Sequence, residues 1–192
     1  NAGGTAVDAA VATAFALAVV DPSASGLGGG GFMVIYQAKE KKAHALDFRE
    51  TASAASKREQ YMKGGKPVAS LSLTGPLAVA VPGEVAGLTE ALKRFGTMPL
   101  PGVMAPAMRF ATDGFVIQPR LRSALERQLG NIRKSADFAR VMLVKNEIPA
   151  EKEMLRQGEL GAALKAIAEQ GPEIFYQGWI GQAIAERIKK EG

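Results

Sequence analysis

The sequence predicts an α+β chain, with a layered front half and an all-helical back half. Three observations carry this. Thr5 to Val20 is an alanine-rich run, apolar on nearly every side. Phe32 to Phe48 holds two strand-like runs around a charged turn. From Glu84 onward, helical segments recur between glycine and proline stops. The shift near residue 85 separates an α/β part, 1–85, from a helical part, 86–192, within a single folded unit spanning 1–192.

The first helix is favoured by its alanines and stopped at Asp21-Pro22, because proline cannot continue it. A helix apolar on nearly every side is expected to be covered on nearly every side, which places it inside a layered structure. The run is too short to cross a bilayer and is interrupted by Asp8 and Thr13. Asn1 to Val7 contains no lysine or arginine, unlike the basic segment that precedes a signal-peptide core. It is expected to be a buried helix.

A glycine-dense connector, Pro22 to Gly31, leads into Phe32–Tyr36, which is rich in strand formers. After the turn at Lys39 to Lys42, Leu46 and Phe48 alternate with polar neighbours in Ala43–Phe48, as in a half-buried strand. The two runs predict an antiparallel hairpin. A basic, polar region follows to about Ser70, with a short helix over Ser56–Met62. Leu77–Val81, between Gly75-Pro76 and Pro82-Gly83, reads as a strand or a buried extended segment. Helices are expected over Val85–Phe95, Pro101–Thr112, Pro119–Leu129, Glu159–Glu169 and Ile174–Lys190.

Composition excludes several chemistries. The chain has no cysteine, so neither a disulfide framework nor a thiolate metal site can form. His44 is the sole histidine, which rules out a multi-histidine zinc centre and reads as an ordinary strand residue. The net charge of +5 raises a nucleic-acid partner, but the basic residues are scattered among acids and only twelve aromatics are present. A solvated basic surface is the better reading, with neither nucleic acid nor membrane as partner. No metal and no organic cofactor is implied.

Gly28 to Gly31 are four consecutive glycines, yet a phosphate-binding loop runs from strand into helix. Here a helix enters the glycines and a strand leaves them, and no Gly-Lys-Ser/Thr follows. The run is read as a connector where backbone approaches backbone. Arg49 follows directly on the second strand, in Ala45-Leu-Asp-Phe-Arg-Glu-Thr51. A guanidinium suits bidentate capture of a carboxylate. The competing reading is a structural ion pair with Asp47 or Glu50.

Several blocks together resemble the large subunit of γ-glutamyltranspeptidases. They are Gly4-Thr-Ala-Val-Asp-Ala-Ala-Val-Ala12 with Asp21-Pro22, Ser25 to Phe32, Leu46-Asp-Phe-Arg-Glu-Thr-Ala52 and Gly75 to Gly87. Lys93 to Leu100, Ala107 to Phe115 and Gly171 to Gly178 continue the pattern in order. The resemblance implies part of an N-terminal-nucleophile hydrolase αββα sandwich. It also implies a precursor that cuts itself into large and small subunits, exposing a threonine at the start of the small one. That hydroxyl attacks the γ-amide of glutathione or a related compound, with the new α-amine as base. The γ-glutamyl group then passes to water or to an amino acid or peptide. Arg49 aligns with the family arginine that binds the α-carboxylate.

Two departures are local: Ser53 where the family often has proline, and Ser23 where histidine is common. Nothing in the chain resembles the Thr-Thr-His opening of the small subunit. Thr5, Thr13, Thr51, Thr74, Thr89, Thr97 and Thr112 are all internal and lack a free α-amine. No catalytic residue is therefore expected within this chain, which is read as a large-subunit fragment inert by itself. Its expected partners are the remainder of the large subunit and the small subunit, in a heterodimer, together with a small γ-glutamyl substrate. A periplasmic or secreted location follows from the resemblance alone, and the isolated chain is expected to self-associate. Alternatives are a stand-alone binding or scaffold module, or a sister acylase such as a β-lactam acylase or capsule transpeptidase.

Overall fold

A computed structural model describes residues 3–150 and 152–191. The elements in chain order are α1 (Ala6–Val20), β1 (Phe32–Gln37), β2 (Lys42–Asp47), β3 (Met62–Lys63), β4 (Lys66–Pro67), α2 (Glu84–Phe95), α3 (Leu100–Thr112), β5 (Phe115–Val116), α4 (Pro119–Ile132), α5 (Ala136–Met142), β6 (Met154–Leu155), α6 (Gly158–Gln170), α7 (Glu173–Tyr176) and α8 (Trp179–Glu191). The chain forms two compact units, one of Asn1–Leu27 with Leu88–Gly171 and one of Gly28–Gly87 with Pro172–Gly192.

In the first unit, α3 packs against both α1 and α6. Its core includes Val11, Phe15 and Val19 of α1, Met104 and Ala107 of α3, and Leu164 and Ile167 of α6, all essentially inaccessible. The buried stripe of α1 recurs at Val7, Val11, Phe15, Ala18 and Val19, the spacing of one helical face. The opposite face is not covered as its composition led us to expect: Ala9, Ala10 and Thr13 are exposed, and Leu17 is 42% exposed. Alanine-rich composition reports helix propensity as much as burial, so it overstated the cover.

The N-terminus of α1 is tied down by an acid. Asp8 is 2% exposed and forms a capping box with Thr5. Its Oδ2 accepts the Thr5 N–H at 2.6 Å and the Thr97 hydroxyl at 2.9 Å, while its Oδ1 accepts the N–H groups of Thr97 and Met98 at 2.9 and 3.0 Å. Room for the carboxylate comes from Gly96, where a Cβ would stand 2.7 Å from Asp8 Oδ1. Burial alone would raise the Asp8 pKa, but the N–H donors of Met98, Thr5 and Thr97 and the Thr5 hydroxyl outweigh it and hold the carboxyl well below the usual carboxylate range.

A second polar anchor is Gln157, 5% exposed, whose Nε2 donates to the Val19 carbonyl at 2.8 Å and whose backbone N–H donates to the Ala111 carbonyl at 2.8 Å. It thereby links the ends of α1 and α3 to the start of α6. The short antiparallel pair β5–β6 closes the same end, with Phe115 opposite Leu155.

In the second unit, β1 and β2 pair antiparallel with Phe32 opposite Asp47 and Ile35 opposite His44. Gly31 and Phe48 extend the ladder by exchanging backbone bonds of 3.3 and 2.9 Å. Period-two alternation places Met33 and Ile35 inward and leaves Phe32, Val34 and Tyr36 at 65, 76 and 64% exposure. Helices α7 and α8 pack together, and α8 also meets the 3₁₀ turn Pro76–Ala78.

Several boundaries differ from the sequence reading. The helix expected over Ile174–Lys190 is two helices, broken at Gln177-Gly178. A Cβ on Gly178 would come within 2.7 Å of the Ile174 carbonyl oxygen. Leu77–Val81 is neither a full strand nor buried: it holds part of a 3₁₀ turn and one bridging residue, with Val79 and Val81 exposed. The helix expected to stop before Gly130 runs on to Ile132.

Candidate functional site

The segment carrying Arg49 is fixed on both sides by backbone. Before it, Phe48 pairs with Gly31; after it, Thr51 and Val81 exchange bonds of 3.2 and 2.8 Å. Arg49 and Glu50 are therefore a two-residue span between tie points. Asp47 adds a turn bond, its Oδ1 accepting the Arg49 N–H at 3.1 Å.

Glycines make this packing possible. A Cβ on Gly30 would lie 2.3 Å from the Phe48 carbonyl oxygen and 3.0 Å from the Glu50 nitrogen. On Gly83 it would lie 1.8 Å from the same Phe48 oxygen, and on Gly87 2.1 Å from the Phe48 ring. The N–H groups of Gly83 and Glu84 both donate to the Gly29 carbonyl, at 2.9 and 2.8 Å. The glycine-rich connector is thus a place where three backbone segments converge around Phe48, one residue before Arg49.

The Arg49 side chain is 63% exposed. Its Nε donates to Glu50 Oε2 at 3.2 Å, and its guanidinium carbon stands 5.8 Å from the centre of the Phe32 ring. Such a cation–π contact restrains the group without consuming its donors. Among the described residues, Nη1 and Nη2 make no hydrogen bond, so the two-pronged edge is available to an incoming carboxylate. Of the two ion-pair partners expected for Arg49, Glu50 takes the guanidinium, while Asp47 takes the backbone N–H instead.

Two residues beside this span carried no distinct signal in the sequence. Glu84 opens α2, is 9% exposed, and has its pKa raised first by burial and then by the charge of Glu50. Tyr176 accepts the Ala86 N–H at its hydroxyl, 3.0 Å away, and its pKa is raised by burial. An acid in a helix's first turn is ordinary dipole chemistry, so sequence inspection alone gave no reason to single out Glu84.

The two local departures have local consequences. Ser53, in place of proline, accepts the Ala55 N–H at 3.2 Å through its hydroxyl, and its carbonyl accepts the Ser56 N–H at 2.9 Å. The loop after Arg49 is therefore turned by a serine. Ser23 donates to Asp21 Oδ1 at 2.7 Å. No group of three or more metal-ligating side chains occurs among the described residues, and no helix there is long and apolar enough to cross a membrane. An apolar cleft of about 450 Å³ opens in the second unit between Leu77, Val79 and Val81 on one side and Phe175, Ile184 and Ile188 on the other.

The architecture is that of an α+β segment of the N-terminal-nucleophile hydrolases. The sequence matches the gamma-glutamyltranspeptidase family over residues 1–192, and the chain belongs to that family. It is 40% identical to glutathione hydrolase 3 of Arabidopsis thaliana, covering 100% of this chain and 30% of that protein. It is 42% identical to the glutathione hydrolase proenzyme of Escherichia coli K12, over 99% of this chain and 33% of that one. A crystal structure of Helicobacter pylori gamma-glutamyltranspeptidase superposes with a TM-score of 0.95 at 38% identity, covering 99% of this chain and 55% of the other. The chain thus spans about a third of the length of these curated relatives.

Proposed function

We propose that this chain is a single partial domain from the large subunit of a γ-glutamyl transferase and hydrolase, and that Arg49 binds the α-carboxylate of the γ-glutamyl donor. The observation that carries the Arg49 assignment is geometric. A backbone-clamped span presents a guanidinium with Nε occupied by Glu50 and the Nη pair unbonded among the described residues. That is the arrangement a carboxylate requires for two parallel charge-assisted bonds.

The donor is glutathione or a related γ-glutamyl amide, and the acceptor is water, an amino acid or a peptide. The attacking hydroxyl belongs to a threonine on the small subunit, freed by self-cleavage and assisted by its own α-amine. The designation of the Escherichia coli relative as a proenzyme supports such processing. By itself this chain is inert, since it contributes substrate binding and no nucleophile. Its partners are the rest of the large subunit and the small subunit, and its location is periplasmic or secreted. Exposed apolar side chains on the β1–β2 hairpin, and Leu17 on α1, support the presence of further covering polypeptide.

The test is kinetic and uses the whole processed protein. Arg49→Lys keeps the charge and removes the fork. It is expected to raise KM for a γ-glutamyl anilide by about 10- to 100-fold, since bonds to charged groups contribute roughly 1.5–3 kcal/mol. Unchanged KM and kcat would remove Arg49 from the site.

A further inference from the structure

Strand register at the open end of the β1–β2 hairpin decides what lies beside Arg49. Phe32 stands opposite Asp47 and Gly31 opposite Phe48, which brings Gly30 next to the Arg49 backbone. A Cβ on Gly30 would lie 3.1 Å from the Arg49 carbonyl carbon, and glycine has no side chain on which a guanidinium could rest. Period-two alternation puts Arg49 on the face shared by Asp47 and Phe32, two positions beyond Asp47. Phe32 and Arg49 are therefore a diagonal cross-strand pair, at a separation that a long side chain and an aromatic ring can close. It is closed: the Arg49 guanidinium carbon lies over the Phe32 ring, 5.8 Å from its centre. Phe32 is 65% exposed, so core packing does not account for the ring at this position. Val34 and Tyr36 share its face, but they lie further along the hairpin, toward the turn.

We propose that Phe32 is a positioning residue: its ring holds the Arg49 guanidinium at the strand end, with Nη1 and Nη2 left to the α-carboxylate of the donor. The proposal rests on Arg49 being the carboxylate-binding residue. Arginine has a long, flexible side chain, and an exposed one samples many rotamers that a bound anion must narrow to one. Glu50 restrains it through Nε. The ring restrains it further, because the negative face of the π-system attracts the cation without taking any N–H donor. Both restraints act before substrate arrives, and neither occupies the Nη edge that a carboxylate uses. Leucine would fill a similar volume without the quadrupole; tyrosine would keep it.

The experiment compares wild type, Phe32→Leu, Phe32→Tyr and Arg49→Ala as whole processed proteins. Each is assayed on a γ-glutamyl anilide and on its α-carboxamide analogue. Phe32→Leu is expected to raise KM for the carboxylate donor about two- to fivefold with kcat little changed, and Phe32→Tyr to stay near wild type. On the carboxamide donor Phe32→Leu should be silent. A Phe32→Leu KM equal to that of wild type overturns the proposal. So does an equal rise on both donors, which would make the ring structural only, or a Phe32→Tyr loss as large as that of Phe32→Leu. If Arg49→Ala is severe on the carboxylate donor while Phe32→Leu is silent, only the role of Phe32 fails. If Arg49→Ala leaves that donor unaffected, the assignment of Arg49 fails and the role of Phe32 falls with it. Should Phe32→Leu not fold, phenylalanines carrying successively more ring fluorines at position 32 decide, since fluorine weakens the negative face with little change of shape. KM should climb along that series, and a flat series overturns the proposal.

Discussion

The position a Cβ would occupy on Gly83 lies 1.8 Å from the carbonyl oxygen of Phe48, so the two backbones touch at a distance only glycine permits. Phe48 is one residue ahead of Arg49, and this contact carries the position of α2 to the strand end where the guanidinium stands. A fixed backbone spares the arginine much of the ordering that a loop residue would undergo on binding.

Gly83→Ala is accordingly expected to destabilise the fold by about 1–3 kcal/mol or more, because backbone cannot yield as a flexible side chain does. Gly130→Ala is the matched control. It lies in α4 with nothing within 4 Å of the new methyl, and should be neutral or stabilising by up to about 1 kcal/mol. Urea unfolding of both variants measures the contrast. Equal effects would show that the Phe48 contact has slack.

Asp8 predicts an acid-sensitive first unit. Its folded pKa is depressed below the ordinary 3.8, so its stabilisation is complete above that range and is lost as pH falls through it toward the folded value. Asp8→Asn replaces an acceptor oxygen with a donor facing N–H groups of Thr97 or Met98, and is expected to cost about 2–3 kcal/mol near neutrality. Thermal unfolding from pH 7 down to 3 should show wild type losing its advantage over the variant. A constant gap across that range would contradict the assignment.

Much of the fold was legible because its signals are local. Asp21-Pro22 ended α1, Gly96 ended α2 and Gly171, at φ 86°, ended α6. The alternation around Leu46 and Phe48 gave the face of β2. What was missed depends on distant partners. Phe115–Val116 forms a strand only because Met154–Leu155 lies opposite, and two residues carry no period of their own. The helix Ala136–Met142 had a local signal, the Ser135 hydroxyl capping the Phe138 N–H, but at seven residues it is too short to show an apolar stripe. At the candidate site, Arg49 was visible as a strand-end guanidinium, with a carboxylate-binding role implied only by the family resemblance. Glu84 was not, because burial and proximity to Glu50 arise from a crossing of segments more than thirty residues apart in sequence.

The uncovered hairpin face gives a third expectation. Phe32, Val34 and Tyr36 lie on one side of a two-stranded sheet, and an isolated pair with an apolar open face seeks another surface. The isolated 192-residue chain should self-associate in sedimentation velocity, and Val34→Thr with Tyr36→Thr should reduce it. A wild-type chain that stays monomeric at high concentration would show that this face needs no cover.

Gln157 offers a fourth. Its buried amide is bonded to the Val19 carbonyl, and Gln157→Leu leaves that acceptor without its donor. A loss of about 1–3 kcal/mol is expected in urea unfolding, whereas a neutral result would mean that water replaces the bond.

The carboxylate-binding role of Arg49 is tested most directly by a cycle in which both partners of the contact are removed. Wild type and Arg49→Ala, as whole processed proteins, are compared on a γ-glutamyl donor and on its α-carboxamide analogue through kcat/KM. If Arg49 grips the α-carboxylate, the arginine substitution should be severe on the carboxylate donor and nearly silent on the amide, with a coupling of roughly 1.5–3 kcal/mol. Equal losses on both donors would contradict the assignment.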